Sequence, residues 1–257
     1  MKPQITLYSR YFGSFGTIPG IAGTAWLPNS EATFSDWYSG TDDASLTTAN
    51  GNVTAWNSSS SSTNVLATAT GTPTHSNTLD CVDFGAAARS LADTSVGNGA
   101  LTNGACCFVC VADVSKTISS FIFNQDIAGA NPGMALWYDF ATNAFRVYCN
   151  SATSGGNISK SATAYTAGTK FLMTVISNGV TGLSYSWFGT LTSGGVATPF
   201  TSTRLMLGRS LAGLNKVYDL MSFSTNSTTV YQKAEGFLAW KHGLTLASGH
   251  PFEFAAP

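Results

Sequence analysis

From about residue 34 onward, apolar side chains recur at every second position in short runs, and clusters of Gly, Ser, Thr, Asn and Asp separate the runs. That period of two is the signature of half-buried strands joined by turns. "ACCFVCVADVS" is the most continuous apolar run, and "SSFIFNQD" follows it after residues 116–118. "GMALWYDF" and "AFRVYCNS" flank residues 141–143 and read as a hairpin. "KFLMTVIS" and "LSYSWFGT" flank residues 177–179, where Asn-Gly tolerates the positive φ of a tight turn. "RLMLGRS" and "KVYDLMSFS" read as two late strands. No repeat of fixed period and no second composition regime interrupts the series, so the pattern predicts one all-β sandwich.

One stretch breaks the period. After Ser227, a candidate N-cap with Thr229 and Gln232 as a competing capping pair, Val230, Ala234, Phe237, Leu238 and Leu244 fall near one helical stripe. Lys241 and His242 make a basic last turn and Gly243 a stop, so the helix is predicted over about 228–242. Within "EGFLAWKHGL", Phe237, Leu238 and Trp240 are expected to anchor the helix on apolar surface, with Glu235 and His242 solvated or capping.

Residues 1–33 carry aromatics without a period, and Tyr8, Tyr11, Phe12 and Phe15 make them an expected arm ahead of a domain at residues 34–257. Those four rings suit a partner contact, because aromatics are enriched where interfaces desolvate, and they equally suit closing one end of the sandwich.

Composition narrows the function. Only 10% of residues are charged, against about 25% in ordinary domains, so hydroxyls and amides must cover much of the surface. A net charge of -1 with 12 scattered Lys and Arg gives no basic stripe, which argues against a nucleic-acid partner. No run approaches the ~20 apolar residues of a membrane helix, and polar residues interrupt "MKPQITLYSRYFGSFG" before it resembles a signal peptide. No membrane partner is therefore expected. Five cysteines, an odd number, argue against a closed disulfide framework. Strand alternation sends Cys106 and Cys110 to one face and Cys107 to the other, the arrangement of buried fillers, while a bridge involving Cys81 or Cys149 stays open.

Candidate chemistry is sparse. The only glutamates are Glu31, Glu235 and Glu253, so no strand carries the paired carboxylates of a retaining glycosidase. Asp80 and Asp83 point to opposite faces of an extended run. His75, His242 and His250 stand apart in sequence with no triad spacing. No catalytic residue, cofactor or metal is expected, and Asp42-Asp43 reads as a solvated turn in preference to a calcium site. Trp56, Trp137 and Trp187 remain, and Trp137 and Trp187 are the candidates for stacking on sugar rings, with core or rim packing as their alternative role.

"EGFLAWKHGL" followed by "GHPF" resembles the C-terminal signature of laminin-G-like, concanavalin A-like jelly-roll domains of bacterial surface proteins and tailed-phage virion proteins. "WYSGTDDASLTTANGNVTAWNSSS", "LDCVDFGAAARSLAD", "CFVCVADVS", "RLMLGRS" and "VYDLMSFS" match in the same order, across residues 33–254. The resemblance implies two packed antiparallel sheets with the helix across the strand ends. About activity it implies less; taken with the missing signal peptide, the absent catalytic constellation and the short aromatic arm, it makes a non-enzymatic structural protein of a tailed-phage virion the leading expectation, foremost a capsid decoration or auxiliary head protein whose partners are other virion proteins. The expected location is the virion surface, reached from the host cytoplasm without a signal peptide, and a homo-oligomer is the default for such a protein. The alternatives are a tail-fibre or baseplate adhesin that binds host glycans and a bacterial carbohydrate-binding module.

Overall fold

The computed structural model of the 257-residue chain describes residues 26–59, 64–85, 89–93, 105–126, 132–149, 157–196, 204–209, 215–254 and 256–257. The expected anchors Tyr8, Tyr11, Phe12 and Phe15 lie outside them.

The first half supplies β1 (Phe34–Ser39), β2 (Leu46–Ala49), β3 (Asn52–Asn57), β4 (Val65–Thr70), β5 (Thr74–Ser76), β6 (Cys81–Asp83), β7 (Arg89–Asp93), β8 (Cys106–Val114) and β9 (Ser120–Asp126). The second supplies β10 (Pro132–Asp139), β11 (Ala144–Cys149), β12 (Asn157–Ser161), β13 (Phe171–Ser177), β14 (Gly182–Trp187), β15 (Thr190–Val196), β16 (Arg204–Arg209) and β17 (Asn215–Phe223). Helix α1 (Thr228–His242) follows with the expected bounds, although Ser227 makes no side-chain cap hydrogen bond.

The described pairings are antiparallel. One run of neighbours is β1-β17-β8-β13-β14-β15; the other is β2-β3-β4-β7-β16-β9-β10-β11-β12. Short β5 and β6 connect them, since β6 pairs with β17 and β5 with β3. Hydrogen bonding is thus continuous through one large sheet that folds back on itself and nearly closes. The two expected hairpins form at β10–β11 and β13–β14. Asn143 takes φ 48° in the first; in the second Asn178 Oδ1 accepts from the amides of Val180, Thr181 and Gly182. The late strands β16 and β17 do not pair with each other: β16 sits between β7 and β9, and β17 between β1 and β8.

Strand β8 explains why its sequence lacks alternation. Cys106, Phe108, Cys110, Ala112 and Val114 face the main core, while Cys107, Val109 and Val111 face a second apolar layer under α1. Both faces are covered, as in strands that read as continuous apolar runs. Phe108 stacks on Phe123 at 4.8 Å within the main core, where Trp56, Phe145 and Phe171 are also fully buried. Each such side chain contributes about 1.5–3 kcal/mol by leaving water. All five cysteines are free and buried, and burial pushes the thiols of Cys81, Cys106 and Cys110 up to about 12, so they act as inert filler.

Helix α1 lies on the outer faces of β8 and β13 through Tyr231, Ala234, Leu238 and Ala239. Phe237 is half-buried and meets the rings of Trp26 and Trp37 edge-on at 6.0 and 5.6 Å. Two expectations fail here. Trp240 sits on the outer face and is 41% exposed, so it does not pack on the sheet as Leu238 does. Glu235 and His242 are not solvated: both side chains are sealed, as described below. Gly236 is required mid-helix, since a Cβ there would come within 2.6 Å of the Phe252 side chain. Gly243 closes the helix in the left-handed region, and the Leu244 amide donates back to the Ala239 carbonyl. Residues 26–33 pack on this body: the Trp26 amide donates to the Pro257 carbonyl, and Trp26 Nε1 and Lys233 both donate to Glu31 Oε1. Among the described residues no helix is long and apolar enough to cross a membrane.

Candidate functional site

Three features bear on function: a pocket beside Trp187, a buried charge network at the end of α1, and a sealed Glu-His pair beneath its middle.

The pocket encloses about 230 Å³ and is lined by Lys160, Ser161, Ala164, Tyr165, Thr166, Thr169, Lys170, Trp187 and Phe188. Its walls come from edge strand β12, the 162–170 connection and the end of β14. Trp187 projects inward from β14, in register with Met173 of β13, and stacks on Phe171 at 5.3 Å with 15° between the planes. Phe145 and Tyr165 close in from the other side of the core. The indole is therefore held rigidly, half-buried, with its remaining surface on the pocket. Lys160 Nζ hangs 6.0 Å from the Trp187 ring centroid. Tyr165 is committed to the scaffold: its hydroxyl bonds the backbone of Val114 and Thr169, and burial raises its pKa to about 12. Lys116 Nζ, from a residue at φ 60°, donates to the carbonyls of Ala162 and Tyr165 and pins the connection.

The charge network begins at the mouth of that pocket. Lys170 Nζ lies 4.3 Å from the Tyr218 ring and 3.4 Å from His242 Nδ1. Since an ammonium can only donate, His242 Nδ1 accepts, and Nε2–H must donate to Asp219 Oδ2 at 2.5 Å. His242 is neutral in this arrangement. Burial moves its pKa below the usual imidazole value, outweighing the pull of Asp219 in the other direction. Asp219, fully buried on β17, also accepts from Trp37 Nε1 at 2.6 Å and from Lys241 Nζ at 2.8 and 2.9 Å. Burial alone would raise its pKa, but Lys241 and His242 hold it at about 2. Tyr218 then donates to Asp113 Oδ2, with Lys216 Nζ 3.5 Å away.

Under the middle of α1, Glu235 accepts from Thr174 Oγ1 at 2.5 Å and pairs with His250 Nε2 at 3.1 Å, while His250 Nδ1 accepts the Phe252 amide. Side-chain exposure is 1% for Glu235 and 0% for His250. Neither dyad presents a reacting atom to solvent, and the hydroxyl beside Glu235, that of Thr174, is itself fully buried. Their work is to fasten α1 and the 244–254 segment to the sheet.

The structure does not bring Trp137 and Trp187 together. Trp187 faces the core side, whereas Trp137 of β10 lies in an aromatic row with Phe121 of β9 and Tyr148 of β11, paired with Arg146. Trp137 Nε1 is sealed without a hydrogen-bond partner among the described residues. Trp56 is fully buried, donates to the Ser39 carbonyl and has no surface to offer a ligand. Asp42 accepts from the Ala44 amide and from Ser59, the contacts of a turn cap. No cluster of three or more metal-ligating side chains forms among the described residues. Sequence reasoning missed Glu235 and His242 although a signal was present: Tyr231, Glu235, Leu238 and His242 follow the 4-3-4 spacing of one helical face.

No family model and no curated protein sequence matches the chain. Solved structures do. The sialidase of Trypanosoma rangeli in complex with sialic acid aligns at TM-score 0.60 and 11% identity, covering 93% of this chain and 37% of that one. The binding domain of botulinum neurotoxin serotype D aligns at TM-score 0.61 and 10% identity over 79% of this chain and 51% of its own. A botulinum neurotoxin type C structure, whose cell entry depends on interaction with two ganglioside molecules, aligns at TM-score 0.57 and 12% identity, covering 76% and 48%. The chain thus spans about a third of the sialidase and about half of the toxin chains. At these identities the likeness establishes a shared all-β fold.

Proposed function

We propose that the chain is a glycan-binding, non-catalytic β-module, its two runs of strands forming a two-layer jelly roll and its site lying at the Trp187 pocket. The observation that carries this reading is a packed indole with part of its surface open to a cleft of about 230 Å³, whose other walls combine the hydroxyls of Ser161, Thr166 and Thr169 and two lysines with Ala164, Tyr165 and Phe188. That volume lies just under the ~300–1,000 Å³ of drug-sized ligand sites, which suits a single sugar residue. A sugar face offers C–H groups to the indole and hydroxyls to the rim. The names of two fold neighbours support the same reading, one solved with sialic acid and one interacting with gangliosides.

The adhesin reading thereby displaces the capsid-decoration role, for which neither the fold neighbours nor the pocket offers support. Virion placement rests on the sequence reading and is tested by antibody labelling of purified particles. Catalysis finds no constellation among the described residues, and the two sealed His-carboxylate pairs serve packing.

Glycan-array binding is the test. Wild type should bind a subset of glycans, and Ala164→Leu, which fills the pocket from an exposed position without touching the core, should abolish the signal. Trp187→Ala should do the same at some cost in stability. A flat wild-type array overturns the reading, and so does binding that survives Ala164→Leu.

A further inference from the structure

We infer that the pocket selects an acidic sugar, whose anionic group sits on Lys160 while its apolar face lies on Trp187. The inference rests on the glycan reading above and adds the charge of the ligand.

Two of the nine lining residues are lysines and none is Asp or Glu, in a chain whose charged content is only 10% and whose net charge is -1. Positive charge here is local and not a general property of the surface. Lys160 belongs to edge strand β12 and is opposite Phe145 of β11, which aims it at the core side next to Trp187. It is half-buried, and no carboxylate of the described residues pairs with it. Its 6.0 Å separation from the ring centroid is at the outer limit of a cation–π contact, so the ammonium is near the indole without being locked to it.

The second lysine reinforces the first. Lys170 is occupied by His242 and Tyr218, and the carboxylate behind them, Asp219, is already matched by Lys241. The positive potential on this wall is therefore not cancelled from below. In a recess partly shielded from water, an ammonium facing an anion gives a stronger hydrogen bond than one facing a neutral hydroxyl. A neutral sugar would leave Lys160 to solvent; an acidic one would engage both Lys160 and Trp187.

The test is calorimetric titration of the full chain with glucuronate, galacturonate and N-acetylneuraminate beside glucose, galactose and N-acetylglucosamine, and with sodium sulfate as the bare anion. At least one acidic sugar should bind roughly tenfold or more tightly than the neutral sugars and than sulfate, more weakly at high salt. Lys160→Gln should reduce that affinity to the neutral level, and Lys160→Arg should retain most of it. Equal binding of acidic and neutral sugars, unchanged in Lys160→Gln, overturns the charge selection and leaves the glycan site standing. Sulfate binding as tightly as every acidic sugar overturns it as well, because the indole then contributes nothing. Failure of every saccharide overturns the glycan reading together with this one.

Discussion

The main core and the layer under α1 share strands β8, β13 and β17 but are built on different principles. The core is filled with aromatic, aliphatic and thiol side chains such as Trp56, Phe108, Phe123, Phe145 and Cys110. The helix layer mixes Val109, Met221 and Leu238 with sealed ionisable groups: Asp219, Glu235, Lys241, His242 and His250. Apolar contact is non-directional, so it rewards burial wherever volumes fit. A buried carboxylate tolerates only the position in which its partners reach it. The sheet closes by hydrophobicity, and the helix, which could slide along an apolar face, is held in register by charges.

Two substitutions test that contrast at its strongest. Asp219→Ala takes the carboxylate away from Trp37 Nε1, His242 Nε2–H and Lys241, whose ammonium keeps Ser39 Oγ at 2.8 Å, and should cost about 3–5 kcal/mol, the range for breaking a buried ion pair. Phe108→Ala in the core should cost a similar 3–5 kcal/mol through lost transfer energy and a cavity. Urea unfolding measures both, and pH separates them: the Asp219→Ala deficit should shrink in acid, whereas the Phe108→Ala deficit should stay constant. Equal pH behaviour would mean that the helix layer is merely a second apolar core. Glu235→Gln is the milder version. Its amide oxygen can serve only one of His250 Nε2–H and Thr174 Oγ1 and carries no charge, so the change should cost about 1–3 kcal/mol, read in the same unfolding assay.

The acid profile of the wild type sharpens the comparison further. His242 is depressed in the folded state below 6.5, so the unfolded chain takes up that proton first and stability declines as pH falls below 6.5. Asp219, burial notwithstanding, is held at about 2 by Lys241 and His242 against 3.8 when unfolded. It should contribute about 2 kcal/mol that is complete above 3.8 and vanishes as pH falls toward 2. Unfolding free energy measured from pH 8 to pH 2 should show both declines, and Asp219→Ala should remove the lower one.

Much of the fold was legible because period and punctuation are local. The β8 run, the hairpins at residues 141–143 and 177–179, and the helix from Thr228 to His242 all follow from neighbours in sequence. Strand partners were not legible: β16 and β17 adjoin in sequence yet pair elsewhere, since register depends on surfaces far along the chain. The candidate site was half legible. Trp187 could be nominated by type, but its neighbours Lys160 and Lys170 meet it only because β12 and the 162–170 connection fold over β14. Glu235 and His242 were misjudged because charged residues in a helix are usually solvated, although their spacing put them on the buried face.

The smallest predicted effect concerns the residue that looked most like an anchor. Leu238 is fully buried against β8 and β13, and Leu238→Ala should cost about 2–5 kcal/mol. Trp240, two positions on, is turned by about 200° and is 41% exposed, so Trp240→Ala should change stability by less than about 1 kcal/mol. Thermal unfolding of the two variants side by side measures the difference. A Trp240→Ala loss as large as that of Leu238→Ala would mean that the outer face of α1 is covered in solution, and the contrast between a hydrophobic core and a charge-registered helix would have to be redrawn around that cover.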